Sequence, residues 1–238
     1  MSQSVNPANE MVLTPQQAAL AQALRGQFIT LEGVDGCGKS TQARLLGDRL
    51  RRLGLRVTET REPGGTPLGM ALRLVLLDPA HNTITPQSEL LLYLADRIQH
   101  LKQVIRPALQ RGDVVLCDRY HDATVAYQSH ARGLSLEPLA AYIQAEIAPT
   151  QPNLTLWLDV DLNVAKERID HRNAQQSRNA KSQSRMDAQA PDFHSKVRAG
   201  YAALHTAHPE RIVQVPAGSG VSEISNRIWS IVEARYGV

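Results

Sequence analysis

Gly33, Gly36, Gly38, Lys39 and Ser40 fall in the order G-x-x-x-x-G-K-S, a spacing that suits one chemistry, the gripping of phosphate. The glycines let the chain curl through Val34, Asp35 and Cys37 so that successive backbone N–H groups face one point. Lys39 brings an ammonium for the β- and γ-phosphates, and Ser40 a hydroxyl of the kind that ligates Mg²⁺. Thr41 continues into a helix whose N-terminal end is itself positive. Asp118 closes an apolar run and is immediately followed by Arg119. A carboxylate in that place is the usual Mg²⁺-associated acid of such a site; a structural ion pair with Arg119 is the alternative. Arg61 lies in T-R-E-P-G-G-T, a rigid turn after a strand, placed to meet an anion or else solvated on a loop.

The elements that must position these groups can be read from periodicity. Residues at about 27–32, 55–60, 114–117, 153–160 and 211–215 read as five strands, of which Phe28–Leu31 and Val114–Cys117 are apolar or β-branched enough to be buried. Helical patterns alternate with them. Leu46, Leu50 and Leu53 lead to a stop at Gly54, and residues 87–110 carry Leu91, Leu94, Ile98, Leu101 and Ile105 on one face. Tyr93, Asp96 and Arg97 lie off that stripe within a turn of one another, and Thr124, Tyr127 and Gln128 share a face further on. Residues 170–189 lose their apolar content while keeping Arg172, Arg178 and Arg185, as either a disordered linker or a mobile lid. The fold expected is therefore α/β, a P-loop NTPase-type five-stranded parallel sheet with helices on both faces and a lid at about 170–189. Residues 27–238 form its one domain. Residues 1–26 read as a flexible surface extension outside the catalytic core, although Leu20 and Leu24 after Pro15 could make a short amphipathic helix.

Composition narrows the class. A chain of 238 residues with 42% hydrophobic and only 4% aromatic content supports one sizeable, mostly aliphatic core. A net charge of +3 is too small to argue for nucleic-acid binding, and no run approaches transmembrane length. The N-terminus lacks a basic stretch followed by an apolar segment, so no signal peptide is evident. Cys37 and Cys117 show no metal or disulfide spacing, which suits a reducing cytoplasm.

Together the motifs F-I-T-L-E-G-V-D-G-C-G-K-S-T-Q, T-R-E-P-G-G-T, L-Y-L-A-D-R and D-R-Y-H-D-A-T-V-A-Y-Q, with S-R-M-D on the lid side, resemble the thymidylate kinase family. That resemblance implies transfer of a phosphoryl group from ATP, with Mg²⁺, to dTMP. It also implies a homodimer in the cytoplasm, with no nucleic-acid or membrane partner. It puts the loop 33–41 on ATP, Ser40 and Asp118 on the metal, and Asp35 near the sugar hydroxyl and phosphates of dTMP. Tyr93 matches an aromatic that stacks on thymine, and Arg97 would reach the base carbonyl or the substrate phosphate. Arg61 and Arg119 would hold that phosphate, Thr124 and Gln128 would read the base, and Tyr127 would crowd the sugar 2′ position.

The chain also departs from the family pattern. Ala123 stands where Ser is common, Ser184 where Asp precedes the lid arginine, the lid is longer, and residues 1–26 have no counterpart. Where some members carry a loop arginine this chain has Gly36 then Cys37, so the transition-state cation is expected from the lid. Lys39, Asp118, Arg172 and Arg185 are thus the expected catalytic set, with Arg178 solvated. A kinase for another nucleoside monophosphate and a P-loop ATPase switch are the competing readings.

Overall fold

The computed structural model describes residues 13–176 and 184–237. Five parallel strands form one sheet: β1 (Phe28–Glu32), β2 (Val57–Arg61), β3 (Val114–Asp118), β4 (Leu154–Asp159) and β5 (Ile212–Pro216), in the order β2-β3-β1-β4-β5. Every residue of β1 is buried, as its place between β3 and β4 demands, whereas the edge strands β2 and β5 are partly exposed.

Alternation along the strands divides the core in two. Ile29 and Leu31 of β1 join Val114, Leu116, Leu154 and Leu156 under one layer of helices. Phe28, Val115 and Cys117 point the other way, under a second layer. The helices are α1 (Pro15–Leu24), α2 (Lys39–Arg52), α3 (Pro67–Leu77), α4 (Pro86–His100), α5 (Arg106–Gln110), α6 (His121–Thr124), α7 (Ala140–Glu146), α8 (Leu162–Gln176), α9 (Pro191–Ala207) and α10 (Val221–Tyr236). The pattern over residues 87–110 is one continuous rod, but it widens to a π-turn over Leu101–Ile105. Pro107 explains this, because its ring crowds the carbonyl four residues back and it has no N–H to donate.

The N-terminal expectation needs correction. Thr14 caps α1 with a reciprocal Thr14–Gln17 capping box and Pro15 at the first turn. Leu20, Ala21 and Leu24 are buried in the main core, where α1 packs on α10. The folded body therefore includes α1, while residues 1–12 lie outside the described residues. Residues 170–176 are likewise not loop but the end of α8, and residues 184–188 form a turn. Arg178 lies outside the described residues.

Candidate active site

The loop joining β1 to α2 is forced by close approach. A side chain on Gly33 would meet the Leu158 carbonyl at 2.6 Å, and one on Gly36 the Ala165 carbonyl at 2.3 Å, both at positive φ. Lys39 Nζ is folded back across the loop and donates to the carbonyls of Val34 at 2.9 Å and Gly33 at 3.1 Å. Ser40 Oγ donates to Asp118 Oδ2 at 2.5 Å. Parallel pairing sets Asp118 opposite Leu31, just ahead of the loop, so that the two oxygens meet. Cys37 and Cys117 are both free and buried.

Arg119 leaves β3 with φ 74°, a left-handed backbone that few side chains adopt. Its guanidinium donates to Asp35 Oδ1 at 2.8 Å, to the Gly33 carbonyl at 2.9 Å and to the Tyr127 hydroxyl at 3.1 Å. Burial alone would raise the Asp35 carboxyl, but the charge of Arg119 and then of Lys39 holds it well below the usual range. Glu32, at the end of β1, supports this turn from beneath. Its carboxylate accepts from the Tyr120 N–H and from the Tyr201 hydroxyl, each at 2.7 Å. Burial, with Asp122 nearby, pushes Glu32 up to about 7.

Two cavities open on the carboxyl edge of the sheet. One, of about 590 Å³, is lined by the loop from Asp35 through Thr41 together with Arg61, Asp118 and Arg168. The other, of about 560 Å³, is lined by Tyr93, Arg97, Ala123, Thr124, Tyr127 and Gln128. Asp35, Glu62, Arg73, Arg119 and Arg172 line both, so three arginines and two carboxylates form the seam between them.

The second cavity is braced by ion pairs. Arg97 donates to Glu62 Oε2 and to Thr124 Oγ1, both at 2.7 Å, and to the Tyr120 carbonyl at 2.9 Å. His100 Nδ1 meets the other Glu62 oxygen at 3.0 Å. Burial would raise Glu62, but Arg97 keeps it below the usual carboxylate range. Arg97 is therefore committed to protein partners on three sides.

Most of the predicted residues come together here, with three differences. Arg97, expected on the base carbonyl or the substrate phosphate, lines the second cavity but spends its guanidinium on Glu62, Thr124 and the Tyr120 carbonyl. Val34 lends only its carbonyl, its side chain being buried in the core. Arg185, expected over ATP, is not at the loop: it is buried, paired with Glu89 at 2.6 Å. Arg172 does reach the seam, where Asp187 pairs with it at 3.3 Å. Asp187 and Ser184 also exchange backbone–side-chain bonds, so the turn has internal pairing despite Ser184.

Arg73 and Arg168 were not predicted. Arg73 donates to the Pro63 carbonyl at 2.9 Å, and burial and then the like charge of Arg61 lower its pKa, as in a site built for an anion. Arg168 donates to the carbonyls of Ala217 and Ser219 and holds that loop at the cavity wall. Neither lies in a motif, and Arg73 is embedded in the apolar run P-L-G-M-A-L-R-L-V-L-L, where only the tertiary fold shows its direction.

A loop for one phosphorylated ligand and an arginine seam leading to a second make this a P-loop phosphotransferase of the nucleoside-monophosphate kinase class. A protein-family model described as "Thymidylate kinase" matches residues 31–228. A thymidylate kinase of Synechococcus sp. (strain JA-3-3Ab) is 45% identical over 212 residues, covering 87% of this chain and 96% of that one. One of Geobacter sp. (strain M21) is 47% identical over 198 residues, covering 83% and 87%. The crystal structure of thymidylate kinase from Ehrlichia chaffeensis superposes with a TM-score of 0.67 at 27% identity, covering 88% of this chain and 99% of that chain. The chain belongs to the thymidylate kinase family.

Proposed function

We propose that the two cavities divide the work of the family's reaction, transfer of the γ-phosphoryl group of ATP to dTMP to give dTDP. The seam of Arg73, Arg119 and Arg172 common to both cavities carries this reading. ATP lies on the loop, its phosphates on the backbone N–H groups from Gly36 to Thr41 and on Lys39, which exchanges the Gly33 and Val34 carbonyls for them. Ser40 Oγ and Asp118 Oδ2 are hard oxygen donors already in contact, a set that fits Mg²⁺. When bound, that ion neutralises charge on the β- and γ-phosphates.

dTMP lies in the second cavity. Tyr93 stacks on thymine, Thr124 and Gln128 read its edge, and Tyr127 crowds the 2′ position. Arg61, Arg73 and Arg119 take the dTMP phosphate, Arg97 braces the wall beside it, and Asp35 lies between sugar and phosphates. Little covalent chemistry falls to the protein, so no general base is required. The arginines offset the repulsion between two phosphate chains, hold them in line and exclude water. Arg172 supplies the cation that Gly36 and Cys37 cannot.

A homodimer belongs to the same reading. Leu68 and Val75, two turns apart on α3, and Leu91 on α4 are exposed apolar side chains suited to a second copy of the chain. We assign the enzyme to a reducing cytoplasm, in keeping with two buried free thiols.

ATP consumption measured with a panel of nucleoside monophosphates tests the assignment. Stoichiometric dTDP formation with dTMP, and little turnover with dCMP or AMP, is expected. ATP hydrolysis that is indifferent to dTMP would mean a switch instead.

A further inference from the structure

Glu89, in the first turn of α4, is buried and carries more partners than any motif suggested. Its Oε1 accepts from Gln128 Nε2 at 2.8 Å and Arg132 Nε at 2.7 Å. Its Oε2 accepts from a second Arg132 nitrogen at 2.9 Å and from Arg185 at 2.6 Å. Arg132 is thus gripped bidentately, and its guanidinium lies 4.9 Å over the Phe193 ring. Arg185 also donates to the Leu76 carbonyl from Nε and to the Leu77 carbonyl from its backbone N–H, at 2.9 and 2.8 Å. These are last-turn carbonyls of α3, which lack helical partners and favour a cation.

The consequence is geometric. The 184–188 turn is docked on α3 and α4 through Arg185, and docking places Ser184, Met186 and Asp187 in the wall of the second cavity. The same carboxylate fixes the amide plane of Gln128 in that wall. Tyr93 is one turn along α4; burial, with the charge of Glu89 adding, pushes its phenol up, while Arg119 and then Arg185 oppose.

We propose that Glu89 is a positioning residue that couples the 184–188 turn to the acceptor pocket, holding Arg185 on one side and Gln128 on the other. Arg185 then serves acceptor recognition through Glu89 and Met186, not the transferred phosphoryl group. This rests on reading the second cavity as the dTMP site.

Arg185→Met is the cleaner test, because it leaves Glu89 balanced against Arg132. Glu89→Gln would strand the buried Arg185 and the half-buried Arg132. Arg185→Met is expected to raise KM for dTMP about 10-fold, with KM for ATP within about 2-fold, and to narrow the dTMP-over-dCMP ratio of kcat/KM several-fold. General destabilisation would not move that ratio. Should Arg185→Met not fold, Arg185→Lys keeps a charge on Glu89 and is expected to shift both quantities the same way by less. A fall in kcat of about 100-fold with both KM values unchanged would overturn the proposal and return Arg185 to the transition state. An unchanged KM for dTMP with an unchanged ratio would also overturn it. Tyr93→Ala is the control: about 1–3 kcal/mol of lost stacking should raise KM for dTMP some 10- to 100-fold. A rise in KM for ATP there instead would sink the cavity assignment itself, separately from the role of Glu89.

Discussion

Ser40 Oγ and Asp118 Oδ2 lie 2.5 Å apart although 78 positions of chain separate them. The contact exists because β3 runs beside β1 in parallel register, bringing Asp118 level with Leu31 and hence with the loop that follows. Asp118→Asn is therefore expected to lower kcat by about 100-fold or more while the thermal midpoint stays within a few degrees. Lys39→Ala is expected to abolish transfer with the fold intact, as read by circular dichroism. Near wild-type turnover in either variant would break the loop assignment.

Deleting residues 1–25 should destabilise the enzyme, since it strips Leu20 and Leu24 from the core. Two buried leucines at about 1.5–3 kcal/mol each imply a fall in Tm of roughly 10 °C for a domain of this size. A melt that overlays the full chain would show that α1 adds nothing.

Glu32 should give stability a pH slope. Its carboxyl is raised by burial and by Asp122 from the usual 4.5 to about 7, with Arg119 and the Tyr201 and Tyr120 bonds opposing. Between those values the folded chain keeps a proton that the unfolded chain has released, so stability falls as pH rises through that window. From pH 5 to 8 this group accounts for a loss on the order of 3 kcal/mol. Glu32→Gln imitates the protonated acid and should reduce the difference between urea melts at the two pH values. An undiminished difference would mean that Glu32 is not its source.

The proposed dimer predicts that the parent chain sediments as two copies and that Leu68→Glu with Leu91→Glu leaves a monomer, because carboxylates would be buried in an apolar contact. A mass unaffected by both changes would put the contact elsewhere.

How far the sequence carried the reading depended on whether a signal was local. β1, β3, β4 and the loop were legible because each is a local run with its own composition, while the mixed edge strands β2 and β5 were legible from their places between helical patterns. Tyr93, Thr124 and Gln128 were legible through family motifs, and the structure gathers them in one cavity. Arg73 and Arg168 were not, since an isolated arginine in a helix shows its direction only once the helix is packed. Arg185 is the sharper case. The resemblance put it over ATP as a lid arginine, yet a buried carboxylate 96 positions away on α4 decides where the guanidinium goes. For α1 the signal was present, in Thr14, Pro15 and Gln17 ahead of Leu20 and Leu24, and only its burial was out of reach.

The side-by-side packing of α1 and α10 bears on how this enzyme can be tethered. α10 returns from the carboxyl edge, and near its end Arg235 reaches the Asn153 carbonyl just before β4 begins. Its last turn thus lies at the sheet's opposite rim, where α1 hands the chain to β1 through Gly26. A surface anchor or fluorescent reporter fused after residue 237 would hang from the face remote from both cavities, leaving nucleotide entry unobstructed.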